Sequence, residues 1–247
     1  MRATFLVLAL LIFSLPVRAE PAATIDEAWA LYRTGHFVET ETMGVDIGSP
    51  NALALAARAA NVRAIYVVAV HDRRAVLEVA RGHGEAALAL DPWHVDGALQ
   101  LVIALGQSAR LMDPVDAHFE GVADTSKSVL DRLAPHASGN PYYHAVMGAW
   151  HAELVLRAGS TAARAFYGAR WDLAIQHYET ARELAPDAFV ISTEYAKILL
   201  EQGAETNKAV GLLRNVALSV PSDAVEALVI EEAKALLATV LAGLAPR

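Results

Sequence analysis

The chain has 247 residues, 55% of them hydrophobic, with 20 basic against 28 acidic side chains and no cysteine. An acidic balance without any basic run excludes nucleic-acid binding by counterion release and gives no attraction to anionic lipids. The missing cysteines exclude disulfides, thiolate metal sites and lipid attachment at a processed N-terminal cysteine.

Residues 1–19 read as a targeting segment. Arg2 supplies a positive start, Phe5 to Leu15 form an apolar run, and Pro16 breaks it. Val17-Arg18-Ala19 then places small residues at −3 and −1 of a cut before Glu20. Eleven residues at about 1.5 Å each fall short of a hydrocarbon core about 30 Å thick, so a cleaved leader is expected and no stable membrane anchor. Removing the leader takes away Arg2 and Arg18, leaving 18 bases against 28 acids and a net charge of −10. The expected product is a periplasmic protein over residues 20–247.

From there the sequence predicts helices throughout, about a dozen of them. Thr24-Ile25-Asp26-Glu27 is a capping box. Ser49-Pro50, Asp113-Pro114 and Asn140-Pro141 each pair a capping side chain with proline at the first helical position. Ser222 opens a final helix that runs to about Leu244, and Gly35, Gly159 and Gly203 mark helix ends. Ala64 to Val70 is the most strand-like stretch, but it continues an alanine-rich run from Asn51 and reads as a buried helix. Asp113 and Asp116 suit the positive end of a helix dipole and need no catalytic role.

Four segments end alike, at Pro92, Pro135, Pro186 and Pro221. Counting back 5, 8 and 12 residues gives Ala181, Tyr178 and Ala174 before Pro186, Ala87, Gly84 and Ala80 before Pro92, and Val216, Leu213 and Ala209 before Pro221. Before Pro135 the same offsets give Leu130, Lys127 and Ala123, a poorer match. Small residues at such offsets let one helix approach another closely, and stacked pairs of this kind bury a continuous core.

At these residues the chain resembles the tetratricopeptide repeat (TPR) family. Gly168 to Pro186, with Trp171, Ala174, Tyr178 and Ala181, looks like the second helix of such a repeat, and Gly35-His36-Phe37 is a weaker echo. The proline-to-proline steps are 43, 51 and 35 residues, against about 34 in the family. The resemblance therefore implies an all-α, irregular TPR-like stack of antiparallel helix pairs, an α-solenoid. A narrower likeness covers Leu130 to Gly203, with Gly148-Ala149-Trp150-His151 on one helix and Glu194-Tyr195-Ala196 on a later one. It is similar to the divergent group that holds the T-component of TRAP-type periplasmic transport systems and regulators of microtubule dynamics. That likeness implies a non-enzymatic partner of a periplasmic solute-binding protein and admits a trimeric or other homo-oligomeric state.

Enzymatic motifs are missing: the chain has no G-x-S-x-G, H-E-x-x-H, P-loop or Rossmann glycine pattern. No catalytic residue, cofactor or resident metal is expected. Gly82-His83-Gly84 sits where a repeat wants a small residue. Interest centres on YYHAVMGAWHAEL, residues 142–154. His144, Met147 and His151 project within about 60° of one another on a helix, a donor set that copper(I) would accept in an exported protein. The helix is apolar around most of its circumference, so packing is the plainer reading, with Tyr143, Met147, Trp150 and Leu154 as the stripe and both histidines beside it. Glu153 and Arg157 are spaced to pair across one turn. Tyr142, Tyr143, Trp150, Phe166, Tyr167 and Trp171 gather aromatic surface that a concave array can turn into a groove. The candidate site is thus Tyr143, His144, Met147, Trp150, His151 and Trp171. Its expected occupant is a partner protein, and the alternative is a small apolar ligand or copper.

Overall fold

The structure is a computed structural model that describes residues 24–244 apart from 114, 115, 117, 119 and 204. The targeting segment and Pro114 lie outside the described residues. Among the described residues there are eleven α-helices and no strand. They are α1 (Ile25–Arg33), α2 (Phe37–Ile47), α3 (Pro50–Val62), α4 (Arg73–Leu90), α5 (Val95–Arg110) and α6 (Val122–Ala137), then α7 (Pro141–Ala162), α8 (Trp171–Leu184), α9 (Phe189–Gln202), α10 (Thr206–Ala217) and α11 (Ala224–Leu244).

Local chemistry sets several of the helix starts. Thr24 accepts from Glu27 N–H while the Glu27 carboxylate accepts from Thr24 N–H, completing the capping box. Ser49 accepts from Ala52 N–H, and Asn140 accepts from the N–H groups of Tyr142 and Tyr143. At α11 the capping acceptor is Asp223, which takes Glu226 N–H; Ser222 instead binds the Glu226 carboxylate through its N–H and hydroxyl.

Three expected ends shift. Pro135 lies inside α6, which continues to Ala137. Gly159 kinks α7 rather than ending it, with φ +78° and ψ 154°, a backbone region open to glycine alone. Ala64 to Val70 is only partly helical: α3 gives way to a π-helical turn over Arg63–Val67, and Val68 is extended. Val67 and Val70 are exposed. A run of β-branched residues, crowded against the preceding helical turn, favours leaving the helix there.

Consecutive helices pack as neighbours, and the odd-numbered ones also touch one another in order, α1 to α3, α5, α7, α9 and α11. The repeated offsets explain the closeness of the pairs. Ala80, Gly84 and Ala87 on α4, Ala174, Tyr178 and Ala181 on α8, and Ala209, Leu213 and Val216 on α10 are all buried. On α6, the poorer match, Leu130 is buried but Ala123 and Lys127 are not. Gly148 shows what a small residue permits: a methyl group there would sit 2.7 Å from the Tyr178 ring and 3.1 Å from the Ala174 carbonyl oxygen.

The stack then closes on itself. Ala224, Val225 and Leu228 at the start of α11 pack against Ala28, Tyr32 and Phe37 of the first pair. The inner helices α1, α3, α5, α7, α9 and α11 therefore form a ring, with the even-numbered helices outside.

Candidate ligand-binding cavity

The ring surrounds a cavity of about 600 Å³ that opens to solvent at its rim. Its walls are mainly aliphatic and aromatic and come from every inner helix, including Tyr32 on α1, Val62 on α3, Val102 and Ile103 on α5, Val146 and Leu154 on α7, Ile191 on α9 and Val225 on α11. Two π-helical turns aim further aromatics at it. Arg63–Val67 contributes Tyr66, and Ala163–Tyr167 contributes Phe166 and Tyr167. Such turns interrupt the regular ladder and redirect side chains, as they do at many binding sites. Phe166 is 76% exposed and forms part of the rim.

The charged groups in the wall are already engaged. Arg58 binds Asp96 at 2.5 Å, and its guanidinium lies 5.9 Å from the ring centres of Trp29 and of Tyr142. Arg110 holds Glu153 with two hydrogen bonds. Glu194 pairs with Lys197 at 2.7 Å. Arg157 donates to the carbonyl oxygens of Ala109 and Met112. Glu153 and Arg157 thus reach across to α5 rather than pairing along α7, because both face the gap between these two inner helices. Burial pushes the Tyr32 phenol up to about 12 and raises Tyr66 and Tyr178 well above their ordinary range.

Of the six candidate residues read from the sequence, Trp150 alone lines the cavity. It is buried and donates its indole N–H to the Ala123 carbonyl at 3.0 Å. Tyr143 and Met147 lie in the core shared by α5, α6 and α7. Trp171 is half-buried where that core meets the one built from α7 to α11. Among the other aromatics of that stretch, Tyr142, Phe166 and Tyr167 line the cavity as well.

His144 and His151 turn to α8, where both meet His177. His144 Nε2 lies 2.9 Å from the Ser138 carbonyl, which can only accept, so the proton sits on Nε2 and Nδ1 offers its lone pair to His177 Nδ1–H, also at 2.9 Å. His151 Nδ1 accepts Arg170 N–H at 3.3 Å, and its ring stacks on His177. Both lone pairs that a copper ion would use on one face of α7 are therefore occupied by N–H donors. Among the described residues, no group of three or more His, Cys, Asp or Glu is placed to hold a metal ion. Burial first, then the neighbouring imidazole, lowers His151 and His177 to about 4, so both are neutral at pH 7.

No protein-family model and no curated protein matches the chain. Among solved structures it is similar to a thermophilic TPR protein from Thermus thermophilus, with a TM-score of 0.61 and 18% identity over 87% of this chain and 96% of that one. The fold is that of a TPR protein. The TPR-like offsets before Pro92, Pro186 and Pro221 are the residues that build it. No helix among the described residues is long and apolar enough to cross a membrane.

Several wall residues escaped the sequence reading: Arg58, Asn61, Tyr66, Arg110 and Tyr178 all line the cavity. Arg58 and Asn61 carried a usable sign, since they are polar residues one turn apart in a stretch that after Asn51 is otherwise built from alanine, leucine and valine. Tyr178 was legible as a repeat residue, but nothing in its spacing shows that it borders a cavity.

Proposed function

We propose that this chain is a non-catalytic TPR-like binding module that carries a small apolar ligand in its central cavity. The observation that carries this reading is the contact of α11 with the first helix pair. An open solenoid offers a long groove along which an extended segment can lie. A closed ring of helices offers a concave, mostly apolar space, and about 600 Å³ falls within the range of roughly 300–1,000 Å³ usual for small-molecule sites. Native mass spectrometry of the purified protein tests it. The expected result is a bound organic mass that leaves on denaturation. An empty protein that also fails to take up N-phenylnaphthylamine, an uncharged apolar fluorophore, overturns it.

A second reading concerns the setting. The TPR-like fold is one that commonly mediates protein–protein contact, and the Leu130–Gly203 stretch resembles the T-component of TRAP systems. Together with the leader-like residues 1–19, these support a protein exported to the periplasm, where it acts as accessory to a TRAP-type solute-binding protein and passes its ligand on. Mixing the purified protein with such a solute-binding protein from the same cell is expected to give a stoichiometric complex on size-exclusion chromatography. Independent elution at tens of micromolar, a concentration at which even modest interfaces associate, removes the partner while leaving the carrier reading in place.

A further inference from the structure

Most charged groups in the cavity wall have a counter-charge beside them. Arg58 pairs with Asp96, Arg110 with Glu153, and Glu194 with Lys197. Arg157 differs. Its Nη1 and Nη2 donate to the carbonyl oxygens of Ala109 and Met112 at 2.8 and 2.9 Å, and no carboxylate among the described residues pairs with it. Those carbonyls, at and just beyond the C-terminal end of α5, fix the guanidinium in place and offset roughly half an elementary charge. Positive charge is left over in the wall.

That charge is also reachable. Arg157 is half-buried and lines the cavity. A guanidinium carries five N–H donors, and the two carbonyls leave Nε–H and one N–H on each Nη uncommitted. The Nε of Arg58 is closed off from solvent, whereas that of Arg157 is not among the buried polar atoms. The free donors suffice for the two parallel bonds by which arginine takes a carboxylate. Glu153, one turn earlier on α7, has its own charge met by Arg110, which donates to it twice.

The rest of the space sets the form of the ligand. Helix α7 borders it from Tyr142 to Ala158, sixteen residues on and about 24 Å along the axis. Between those ends the wall is mostly apolar, with Ala145, Val146, Ala149 and Leu154 on α7, Val102 on α5 and Ile191 on α9. Arg157 stands at the Ala158 end, and Ala158 is exposed. A charged head there keeps part of its hydration, which removes most of the cost of burying an ion, while an apolar body runs inward along α7.

We propose that the cavity binds an amphipathic monocarboxylate, a long apolar chain whose carboxylate is held by Arg157. The inference rests on the carrier reading above, and one displacement experiment separates the two. The purified protein is loaded with N-phenylnaphthylamine and titrated at pH 8, well above the range of an ordinary carboxyl group, with decanoate, decanol and decyltrimethylammonium. Decanoate is expected to displace the fluorophore at a concentration about tenfold below that of decanol, the size of a hydrogen bond to a charged group, and the cation is expected to be the weakest. The comparison is stringent, because an uncharged alcohol leaves water more easily than a carboxylate and a merely apolar cavity prefers it. Arg157→Gln is expected to abolish the advantage of decanoate while the fluorophore still binds, and Arg157→Lys to keep part of it. Should the glutamine variant lose its helicity, the ligand series on the unaltered protein decides alone. Equal or better displacement by decanol or by the cation overturns the carboxylate site and leaves the cavity as a carrier of other apolar molecules. A preference for decanoate that survives Arg157→Gln in full overturns Arg157 as its holder. A protein that takes up no fluorophore overturns both readings.

Discussion

Helix α7 meets α8 on one side and the cavity on the other, and the two faces are built differently. Toward α8, Gly148 admits the Tyr178 ring to contact distance, and His144, His151 and His177 share their nitrogens with one another and with backbone groups. Toward the cavity, Ala145, Ala149 and Leu154 border open space, and Glu153 and Arg157 lean across it to α5. One face is filled to the last methyl group and the other leaves room for a molecule. The same helix composition serves both, so the difference comes from which neighbour each face is given.

Filling the tight face should have the largest effect. Gly148→Val forces branched carbon into the Tyr178 ring and the Ala174 carbonyl, and a loss of about 3 kcal/mol is expected from overpacking, measured by urea denaturation. A change below about 1 kcal/mol, the usual range for a tolerated swap, would show that α7 and α8 can separate cheaply.

Acid should act on the same face. His151 and His177 lie at about 4 in the folded protein against about 6.5 unfolded. Above the unfolded value both states hold neutral imidazoles and stability is unaffected. It declines as pH falls through 6.5 towards 4, because the unfolded chain takes up protons first. A loss of about 2 kcal/mol per independent imidazole is expected at pH 5, before carboxylates such as Asp172, held low by its hydrogen bonds to Arg170, begin to titrate. His177→Gln should flatten the decline between pH 6.5 and 5. An unchanged slope would remove the imidazole cluster as its source.

A smaller change probes the boundary between the faces. Trp150→Phe keeps an aromatic side chain but gives up the pyrrole ring and with it the hydrogen bond to Ala123, and about 2 kcal/mol should go with them, read as a shift in the urea midpoint at constant slope. Smallest of all is Gly106→Ala on the cavity-facing side of α5, where a methyl group meets nothing within 4 Å. Helix propensity predicts a gain of about 0.5–1 kcal/mol. A loss there would mean that the space beside α5 is occupied.

Much of this fold was legible because it rests on local chemistry. The capping box at Thr24 and the caps at Ser49 and Asn140 act within one helical turn, and the small residues before Pro92, Pro186 and Pro221 mark contacts between adjacent helices. The candidate site was less legible. His144 and His151 looked like a ligand pair on a helix wheel, but their partners, His177 on α8 and the Arg170 amide that precedes it, are far along the chain, and no helical period shows a lone pair already in use. Arg58 and Asn61 lay outside the aromatic stretch that drew attention, and their place in the cavity wall is held by Asp96 and Gln100, about forty residues further on.

By itself the sequence determined an all-α chain of paired helices, where several of them begin, and which faces pack in pairs, because caps, turns and small-residue spacing act over a few residues. Only the tertiary structure decided that the pairs close. Each pair is rotated slightly against the one before, and whether those rotations sum to an open spiral or a ring is a property of the whole stack. Here they bring Ala224 and Val225 back to Ala28 and Tyr32, and that return turns the concave face of a repeat array into a cavity walled by every inner helix.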